Sequence, residues 1–379
     1  MNPNRAEAFI NLENAKHNYL EIRRMTSAAH IICVIKANAY GHGAVRLAQL
    51  YESLGADILA VACLTEALEL RESGIRMPVM ILGATPPDCA DILSEHKIIQ
   101  SVHSTEYAKA LNAALKDSGK TLAVHIKLDT GMSRLGIYAH HGFANDAANE
   151  AEAVTKLSNL RAEGIFTHFA ESESPDSAFT EEQLLAFSEV CGILEKRGLS
   201  FKFYHCANSA AVVNYKKAHL NCVRPGLILY GCSPDGNPID SLDLRPVMTF
   251  KSRIADVRSI RRGDSLSYNR NFTAPHDMKV AVVLCGYADG IHRSLSNKGF
   301  FLINGKRAPI LGNICMDLTL ADVTDIPDVH PFDEAVIFGE QNGAFLSADE
   351  LAKLSGTISY ELLTSVSRRV VRTYSDPSA

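Results

Sequence analysis

The chain has no excess of basic residues, no metal-binding cysteine pattern and no long hydrophobic run. Its 43 acidic side chains outnumber 38 basic ones, so no net positive charge favours nucleic acid. The nine cysteines are scattered without a CxxC pair, which predicts reduced thiols and no metal site. No apolar stretch reaches the roughly 18 residues of a membrane span, and residues 1–5 contain no apolar signal segment. We therefore expect a soluble cytoplasmic protein that binds neither nucleic acid nor a membrane.

A length of 379 residues exceeds that of one ordinary core and predicts two domains. Up to about residue 231, short apolar runs alternate with helical patterns, which favours an α/β fold of the TIM-like (β/α)8 barrel type over an open doubly wound sheet. The predicted strands are Ile31–Ala37, Ile58–Cys63, Val79–Gly83, Ile98–His103, Ala123–Asp129, Gly164–Phe169, Phe203–Ala207 and Val223–Tyr230.

The pattern changes after the turn-forming segment Pro234–Pro238, which is typical of a linker. We therefore assign residues 1–233 to the barrel and residues 234–379 to a mainly β C-terminal domain, with approximately residues 1–9 expected to pack with the second domain. Its predicted strands are Val247–Ile260, Lys279–Gly286, Phe300–Ile303, Leu318–Val323 and Glu334–Phe338, and a helix is predicted over Tyr360–Arg368.

One lysine, Lys36, directly follows the apolar run Ile31–Ile35, which suits a strand buried on both faces. A buried ammonium is unfavourable unless it is paired, loses its proton or is consumed chemically, and desolvated lysines form Schiff bases. The alternative is a lysine that reaches solvent from the strand end. A helical pattern over Ala44–Leu50 puts Lys36 in a strand-to-helix loop, where barrel enzymes carry their catalytic groups. Lys36 is therefore a candidate covalent catalyst.

Other polar residues also lie at or just past the ends of predicted strands, as expected for the catalytic mouth of a barrel. They are Lys127, Arg134, His168, Ser209 and Arg224.

Eight segments, taken in order, make the chain similar to a known family. They are Lys36–Gly43, Lys127–Gly136, Thr167–Ala170, Asn208–Ala211, Val223–Gly226, Gly286–Gly290, Met316–Asp317 and Gly356–Leu362. Together they resemble the alanine racemases, which are enzymes dependent on pyridoxal 5'-phosphate (PLP) with a barrel and a β domain. The resemblance implies PLP as cofactor, alanine as substrate, D-alanine for peptidoglycan as product and a homodimer with shared active sites.

The resemblance gives the two catalytic roles to Lys36 and Tyr268. Lys36 would hold the cofactor and move the substrate's Cα proton on one face, while Tyr268 from the partner subunit would act on the opposite face. An isolated tyrosine in this position would otherwise be an ordinary strand residue. Because tyrosine has a reference pKa of about 10, neighbouring positive charge must favour its phenolate. His168 and Arg224 are the plausible sources.

Arg224 matches the arginine that faces the pyridine nitrogen of PLP in this family. Arginine does not readily release a proton, so that nitrogen should remain unprotonated. The ring is then a weaker electron acceptor, which limits side reactions such as transamination. Related decarboxylases carry an acidic residue in this role, which disfavours that activity here.

The resemblance also assigns contacts around the cofactor and the substrate. Cofactor-binding residues are Lys36, Tyr40, His168, Asn208, Ser209, Arg224, Gly226, Leu227 and Tyr360. Substrate-binding residues are Arg134, Met316, Asp317 and Tyr287. Lys127 matches a lysine that is carbamylated in many members, where the carbamate orients the arginine corresponding to Arg134. A solvated lysine is the alternative for Lys127.

Two asparagines are among the departures from the family's usual pattern. Asn269 replaces a common glycine and Asn313 replaces a common arginine, which leaves substrate range and dimer strength open. The alternatives to an alanine racemase are a serine or broad-specificity racemase, an amino-acid decarboxylase and a non-catalytic PLP-binding protein.

Overall fold

The computed structural model describes residues 5–375, which form two large sheets with flanking helices. The strands are β1 (Ala6–Ile10), β2 (His30–Val34), β3 (Ile58–Val61), β4 (Val79–Ile81), β5 (Ile98–Val102), β6 (Leu122–Asp129), β7 (Ile137–Tyr138), β8 (Leu160–Phe166), β9 (Phe203–His205), β10 (Cys222–Val223), β11 (Met248–Ile260), β12 (Ser265–Leu266), β13 (Phe272–Thr273), β14 (Met278–Val283), β15 (Phe300–Ile303), β16 (Lys306–Leu311), β17 (Thr319–Asp322), β18 (Glu334–Gln341), β19 (Ala344–Leu346) and β20 (Val371–Tyr374).

Helices alternate with the strands in the first half of the chain and are few in the second half. They are α1 (Leu12–Met25), α2 (Lys36–Tyr40), α3 (Ala44–Ser53), α4 (Leu64–Glu72), α5 (Ala90–Glu95), α6 (Thr105–Ala114), α7 (Ala144–Thr155), α8 (Ala178–Lys196), α9 (Ser209–Asn214), α10 (Ala348–Ser355) and α11 (Ser359–Ser365). Short 3-10 turns occur at Pro87–Cys89, Lys216–His219, Leu227–Tyr230, Tyr268–Arg270 and Arg293–Leu295.

The first sheet is a closed barrel of eight parallel strands. Its order is β2, β3, β4, β5, β6, β8, β9 and β10, and it closes where β10 pairs with β2. Strands β3, β4 and β5 are buried at every residue, because the barrel interior covers one face and helices cover the other. The predicted (β/α)8 barrel is confirmed.

The second sheet has nine strands in the order β19, β18, β15, β16, β17, β14, β11, β1 and β20. Strand β11 alternates buried and partly buried residues along its first half, as expected where one face of an antiparallel sheet packs on a core. The predicted mainly β C-terminal part is confirmed.

Strand β1, from the beginning of the chain, also lies in the second sheet. It pairs antiparallel with β11 and parallel with β20. The prediction that approximately residues 1–9 pack with the second domain also covers residues 1–4, which lie outside the described residues. The proposed boundary between residues 233 and 234 stays a prediction.

Within residues 5–375, no helix combines the length and apolar character needed to span a membrane. The same residues contain no group of three or more histidine, cysteine or acidic side chains arranged to hold a metal ion.

Candidate active site

A cavity of about 720 Å³ lies at the C-terminal end of the barrel strands. It brings together ten of the residues selected from the sequence. They are Lys36, Tyr40, Lys127, Arg134, His168, Asn208, Ser209, Arg224, Gly226 and Tyr360. Because Tyr360 lies on α11, near the end of the chain, the cavity is lined by both halves of the sequence.

Lys36 begins an unusual turn rather than ending a strand. Strand β2 stops at Val34, three residues before its predicted end, and the residues from Ala37 to Tyr40 have φ between 52° and 54°. Residues other than glycine rarely adopt this left-handed conformation, so surrounding contacts must hold it. The side chain of Glu66 accepts hydrogen bonds from the backbone N–H of Ala37 at 2.7 Å and of Ala62 at 2.8 Å.

The far end of this turn is held by Asn38 and by the last strand. Asn38 Oδ1 accepts from the backbone N–H of Ala44, the first residue of α3, at 2.8 Å. Arg372 Nε donates to the Gly41 carbonyl at 3.0 Å. The position of Lys36 therefore depends on both domains.

The environment of Lys36 favours its neutral amine. Burial is the main cause that lowers the pKa of Lys36, and the nearby Arg134 guanidinium lowers it further, while Glu66 opposes the shift. A neutral lysine amine can attack a carbonyl carbon or accept a proton.

Arg224 is a buried cation held by five hydrogen bonds. Nη1 donates to His205 Nδ1 at 2.9 Å and to the His205 carbonyl at 2.7 Å. Nη2 donates to the carbonyls of Thr167 at 2.7 Å and Cys206 at 3.0 Å, and to His168 Nδ1 at 3.3 Å. Burial lowers the pKa of Arg224 to about 10, so it stays charged near neutral pH. No hydrogen bond within residues 5–375 uses its Nε–H, and the residue lines the cavity.

Two buried histidines that the sequence interpretation missed, His205 and His125, form a hydrogen-bonded chain with Arg224. Because arginine only donates, His205 Nδ1 must accept, and its proton lies on Nε2. That Nε2 lies 2.9 Å from His125 Nδ1, so it donates there. Burial, with a contribution from Arg224, lowers the pKa of both histidines. The sequence position of His125 could have identified it, because it lies two residues from Lys127 in β6 and therefore on the same face of the strand.

His168 is neutral in this cavity. Burial lowers the pKa of His168 well below 6.5, and Arg224, Arg134, Lys127 and Lys36 lower it further. Of the two residues suggested as sources of positive charge, only Arg224 is therefore a cation near neutral pH.

Small residues and hydroxyl groups form a cradle on one side of the cavity. The Gly226 N–H donates to Ser209 Oγ at 2.8 Å, and a Cβ on Gly226 would lie 2.7 Å from Tyr40 Oη. Leu227 is buried and begins a 3-10 turn, so its N–H has no acceptor inside that turn. Burial raises the pKa of Tyr40 and of Tyr360, which keeps both hydroxyls protonated as donors.

Asn208 has a structural contact beside this cradle. Its Oδ1 accepts from the Ala211 N–H and from Ser172 Oγ, both at 2.9 Å. Asn208 therefore caps α9, which begins at Ser209.

Lys127 is almost fully buried, with 5% of its surface exposed. Burial lowers the pKa of Lys127 to about 8, and the neighbouring Arg134 and Arg224 contribute. Its Nζ lies 5.8 Å from the centroid of the Phe166 ring, and no hydrogen bond within residues 5–375 involves it. Arg134 is exposed at the cavity rim.

Tyr268, Met316 and Asp317 line a different cavity, of about 480 Å³. Tyr268 is 69% exposed, and Met316 and Tyr287 are also exposed. The Tyr287 N–H donates to the Cys315 carbonyl at 3.0 Å, which ties the Tyr287 loop to the segment that carries Met316. A single chain therefore does not bring Tyr268 into the cavity of Lys36.

Asp317 belongs to an ion-pair network at the base of these loops. Its Oδ1 lies 2.7 Å from Arg369 Nη2, and the buried Asp289 pairs with both Arg5 at 2.8 Å and Arg369 at 2.7 Å. The hydrogen bond from Arg369 is the main cause that lowers the pKa of Asp317. The side chain of Asp317 is therefore engaged within its own chain.

Comparison with known proteins identifies a family for both halves of the chain. The sequence profile described as "Alanine racemase, N-terminal domain" matches residues 10–234, and that described as "Alanine racemase, C-terminal domain" matches residues 247–374. "Alanine racemase 1" of Clostridium acetobutylicum is 41% identical over 369 residues, which is 97% of this chain and 94% of that protein. "Alanine racemase" of Carboxydothermus hydrogenoformans is 42% identical over 368 residues, or 97% of this chain and 98% of that protein.

A solved structure gives the same result in three dimensions. The alanine racemase of Clostridium difficile 630 superposes with a TM-score of 0.91 at 36% identity, covering 98% of this chain and 96% of that one. Since both domains match in sequence and the whole chain matches in structure, this chain belongs to the alanine racemase family.

Proposed function

We propose that this protein interconverts L-alanine and D-alanine with PLP bound at Lys36. The observation that carries the proposal is the composition of the barrel cavity. It combines a lysine of lowered pKa, an arginine with an unused Nε–H and a cradle of neutral donors. These groups suit an aldehyde, a ring nitrogen and a phosphate, respectively, which are the three polar parts of PLP.

Each part of the cofactor has a candidate partner. The Lys36 amine would hold it covalently, and the Arg224 Nε–H would donate to the unprotonated ring nitrogen. The hydroxyls of Tyr40, Ser209 and Tyr360 would bind the phosphate together with the backbone of Gly226 and Leu227. His168 would pack beside the ring, while Asn208 caps the helix that carries Ser209.

Bound PLP supplies an electron-accepting ring that acidifies the Cα–H of an attached amino acid. Lys36 would remove or return the proton at Cα on one face, and Tyr268 of the partner subunit would do so on the other. Arg134 would hold the substrate carboxylate. Met316, Asp317 and Tyr287 of the partner subunit would narrow the pocket, so that steric exclusion favours a small amino acid.

The exposure of the second base supports a homodimer with shared sites. Tyr268, Met316 and Tyr287 form an exposed group on the second domain, and exposed apolar surface of this kind marks an interaction site. Ile358, which is 60% exposed, lies at the barrel cavity. A two-fold symmetric dimer would bring each Tyr268 to the other chain's Lys36 in two equivalent sites.

Lys127 is a candidate for carbamylation. Near pH 8 a substantial fraction of its amine is neutral, and a neutral amine attacks CO2, forming an N–C bond and releasing one proton to solvent. The resulting carbamate would be an anion that orients Arg134.

We place the reaction in the cytoplasm, where its product would supply D-alanine for peptidoglycan. A serine or broad-specificity racemase is the alternative, because substrate size is set by the entrance and not by the catalytic pair.

The direct test is proton NMR of the PLP-loaded protein in deuterated water with L-alanine, L-serine, L-lysine and L-arginine, followed by chiral analysis. We expect loss of the alanine Cα–H signal together with formation of D-alanine, and no reaction in the Lys36→Ala variant. Faster exchange of serine or of the basic amino acids would favour the alternative. No exchange of any of the four, with the cofactor bound, would overturn the proposal.

A further inference from the structure

The turn that carries Tyr268 has a strained backbone. Ser267 has φ 61° and ψ −176°, a region that is almost restricted to glycine. Asn269 and Arg270 follow with φ 59° and 51°. Residues in these conformations persist only where the surrounding structure holds them. The side chain of Tyr268 is 69% exposed, so its own packing within the chain does not hold the turn.

Asn313 contacts this turn at three points. Its Nδ2 donates to the Tyr268 carbonyl at 2.7 Å, and its backbone carbonyl accepts from Ser267 Oγ at 2.5 Å. Its Oδ1 accepts from Asn271 Nδ2 at 2.9 Å. Asn313 itself is buried, with 7% of its surface exposed. It therefore bonds to Tyr268 and to both ends of the turn.

Asn297 connects the same turn to Gly312, which follows β16 and precedes Asn313. Its Nδ2 donates to the Asn271 carbonyl at 2.9 Å, and its Oδ1 accepts from the Gly312 N–H at 2.6 Å. A Cβ on Gly312 would lie 2.9 Å from the Cβ of Ser267, so only glycine allows this approach. The three side chains Asn271, Asn297 and Asn313 form a closed hydrogen-bonded ring with the backbone, which we call the asparagine clamp.

We propose that the asparagine clamp positions Tyr268 for proton transfer and that Asn313 is its central positioning residue. This inference rests on the proposed function, in which Tyr268 acts on one face of the substrate. A general base must lie within hydrogen-bond reach of the proton that it removes, and a misplacement of about 1 Å costs up to about 100-fold in rate. Since Asn313 is uncharged, it acts on the position of Tyr268 and adds no charge beside it.

Loss of the clamp should slow proton transfer on one face of the substrate only. In the PLP-loaded protein in deuterated water, one enantiomer of alanine presents its Cα–H to Tyr268 and the other presents it to Lys36. We expect Asn313→Ala to slow the initial Cα–H exchange of one enantiomer by about tenfold or more, while the other enantiomer changes by less than about threefold. Asn271→Ala should slow the exchange of the same enantiomer, because it removes the donor to Asn313 Oδ1.

The matched control is Asn221→Ala. Asn221 also donates from Nδ2 to a carbonyl, that of Lys202 at 2.9 Å, and accepts through Oδ1 from the Tyr204 N–H at 2.8 Å, but it precedes β10 at the opposite end of the barrel. We expect both exchange rates to stay at wild-type values in this variant. Hydrogen exchange measured by mass spectrometry should show faster amide exchange over residues 267–271 in Asn313→Ala and not in Asn221→Ala.

The outcomes separate the two proposals. Wild-type protein that exchanges neither enantiomer would overturn the proposed function and this inference with it. Suppose that the wild-type protein exchanges both enantiomers. If the exchange rates in Asn313→Ala then fall equally for the two enantiomers, or do not fall, the role of the clamp alone would be overturned. A dimer that dissociates in Asn313→Ala by size-exclusion chromatography would also overturn it, because the loss would then come from separation of the subunits.

Discussion

Burial has different consequences for the lysines and the arginine of the barrel cavity. The pKa of Lys127 falls to about 8 and that of Lys36 is also lowered, so these amines can become neutral and react. The pKa of Arg224 falls only to about 10, and its charge remains. The same desolvation therefore favours the neutral form of two amines and leaves the arginine charged.

Replacement of Arg224 by lysine should be costly although the charge is kept. A lysine cannot reach the carbonyls of Thr167, His205 and Cys206 together, so buried acceptors lose their partners. We expect the free energy of unfolding to fall by about 3 kcal/mol or more, measured by urea denaturation. Arg161→Lys, at an exposed pair with Glu163, should change it by less than about 0.5 kcal/mol. Equal effects of the two substitutions would contradict the account of Arg224.

The carbamylation of Lys127 can be tested separately. Native mass spectrometry should detect an addition equal to one CO2 on the wild-type chain and none on Lys127→Ala. We expect Lys127→Ala to lower kcat/KM by about tenfold or more, since an anion that orients Arg134 is lost. Lys202→Ala is a matched control, because Lys202 also lies over an aromatic ring, that of Phe203, but is exposed. Unmodified lysine in the native protein, or full activity of Lys127→Ala, would count against the modification.

At the scale of elements, the sequence predicted most strands and a loop at Lys36, but not the left-handed backbone of that loop. Barrel strands such as β3 and β4 are buried apolar runs, and such runs are recognisable without tertiary information. Positive φ at Ala37 and Ala39 has no local signal, because alanine does not favour that conformation. It follows from distant contacts with Glu66 and Arg372, which a sequence pattern does not contain.

Other elements and site residues were missed because they too depend on contacts between distant parts of the chain. Strand β20 pairs with β1 across almost the whole length of the chain, and neither segment indicates the other. His125 and His205 were not selected, since a single histidine in a buried strand is ordinarily structural. Their link to Arg224 exists only once the barrel closes. The resemblance to the family was needed to choose Tyr268, which lines a different cavity from Lys36.

The turn at Lys36 predicts a measurable effect of Asn38→Ala. This change removes the cap on Ala44 and puts alanine at positive φ, so we expect a loss of about 2 kcal/mol in unfolding free energy together with a lower kcat/KM. Ser104→Ala removes a comparable cap, from α6, at an ordinary φ of −160°. It should cost about 1 kcal/mol and leave kcat/KM unchanged. Unaltered activity in Asn38→Ala would argue against a role of the turn in placing Lys36.

For the whole molecule, buried histidines predict how stability depends on pH. Burial lowers the pKa of His42 to about 4 and of His125 to about 3, and it lowers those of His168 and His205 well below 6.5. Below about pH 6.5 the unfolded chain takes up protons on these residues while the folded chain does not. Unfolding is therefore favoured as the pH falls below 6.5, and these groups have no effect above it.

Each such histidine should contribute up to about 1.4 kcal/mol per pH unit to this loss. Urea denaturation at several pH values between about 5 and 7 measures the slope. His42→Asn should reduce the slope by up to about 1.4 kcal/mol per pH unit, which corresponds to one proton. The asparagine can still donate to the carbonyls of Ala39 and Tyr40, which His42 Nδ1 contacts. The exposed His276→Asn variant is the control. The same slope in wild type and His42→Asn would contradict the neutral state of His42.

Because Tyr268 and Lys36 lie in separate cavities of one chain, the proposed mechanism depends on the proposed homodimer. A mixed dimer formed from Lys36→Ala and Tyr268→Phe chains tests it most directly. Each homodimer should be inactive, whereas the mixed dimer would have one site with both Lys36 and Tyr268 intact. After subunit exchange of an equal mixture, we predict alanine racemisation at about a quarter of the wild-type rate. An inactive mixture in which mass spectrometry detects the mixed dimer would contradict a site shared between subunits.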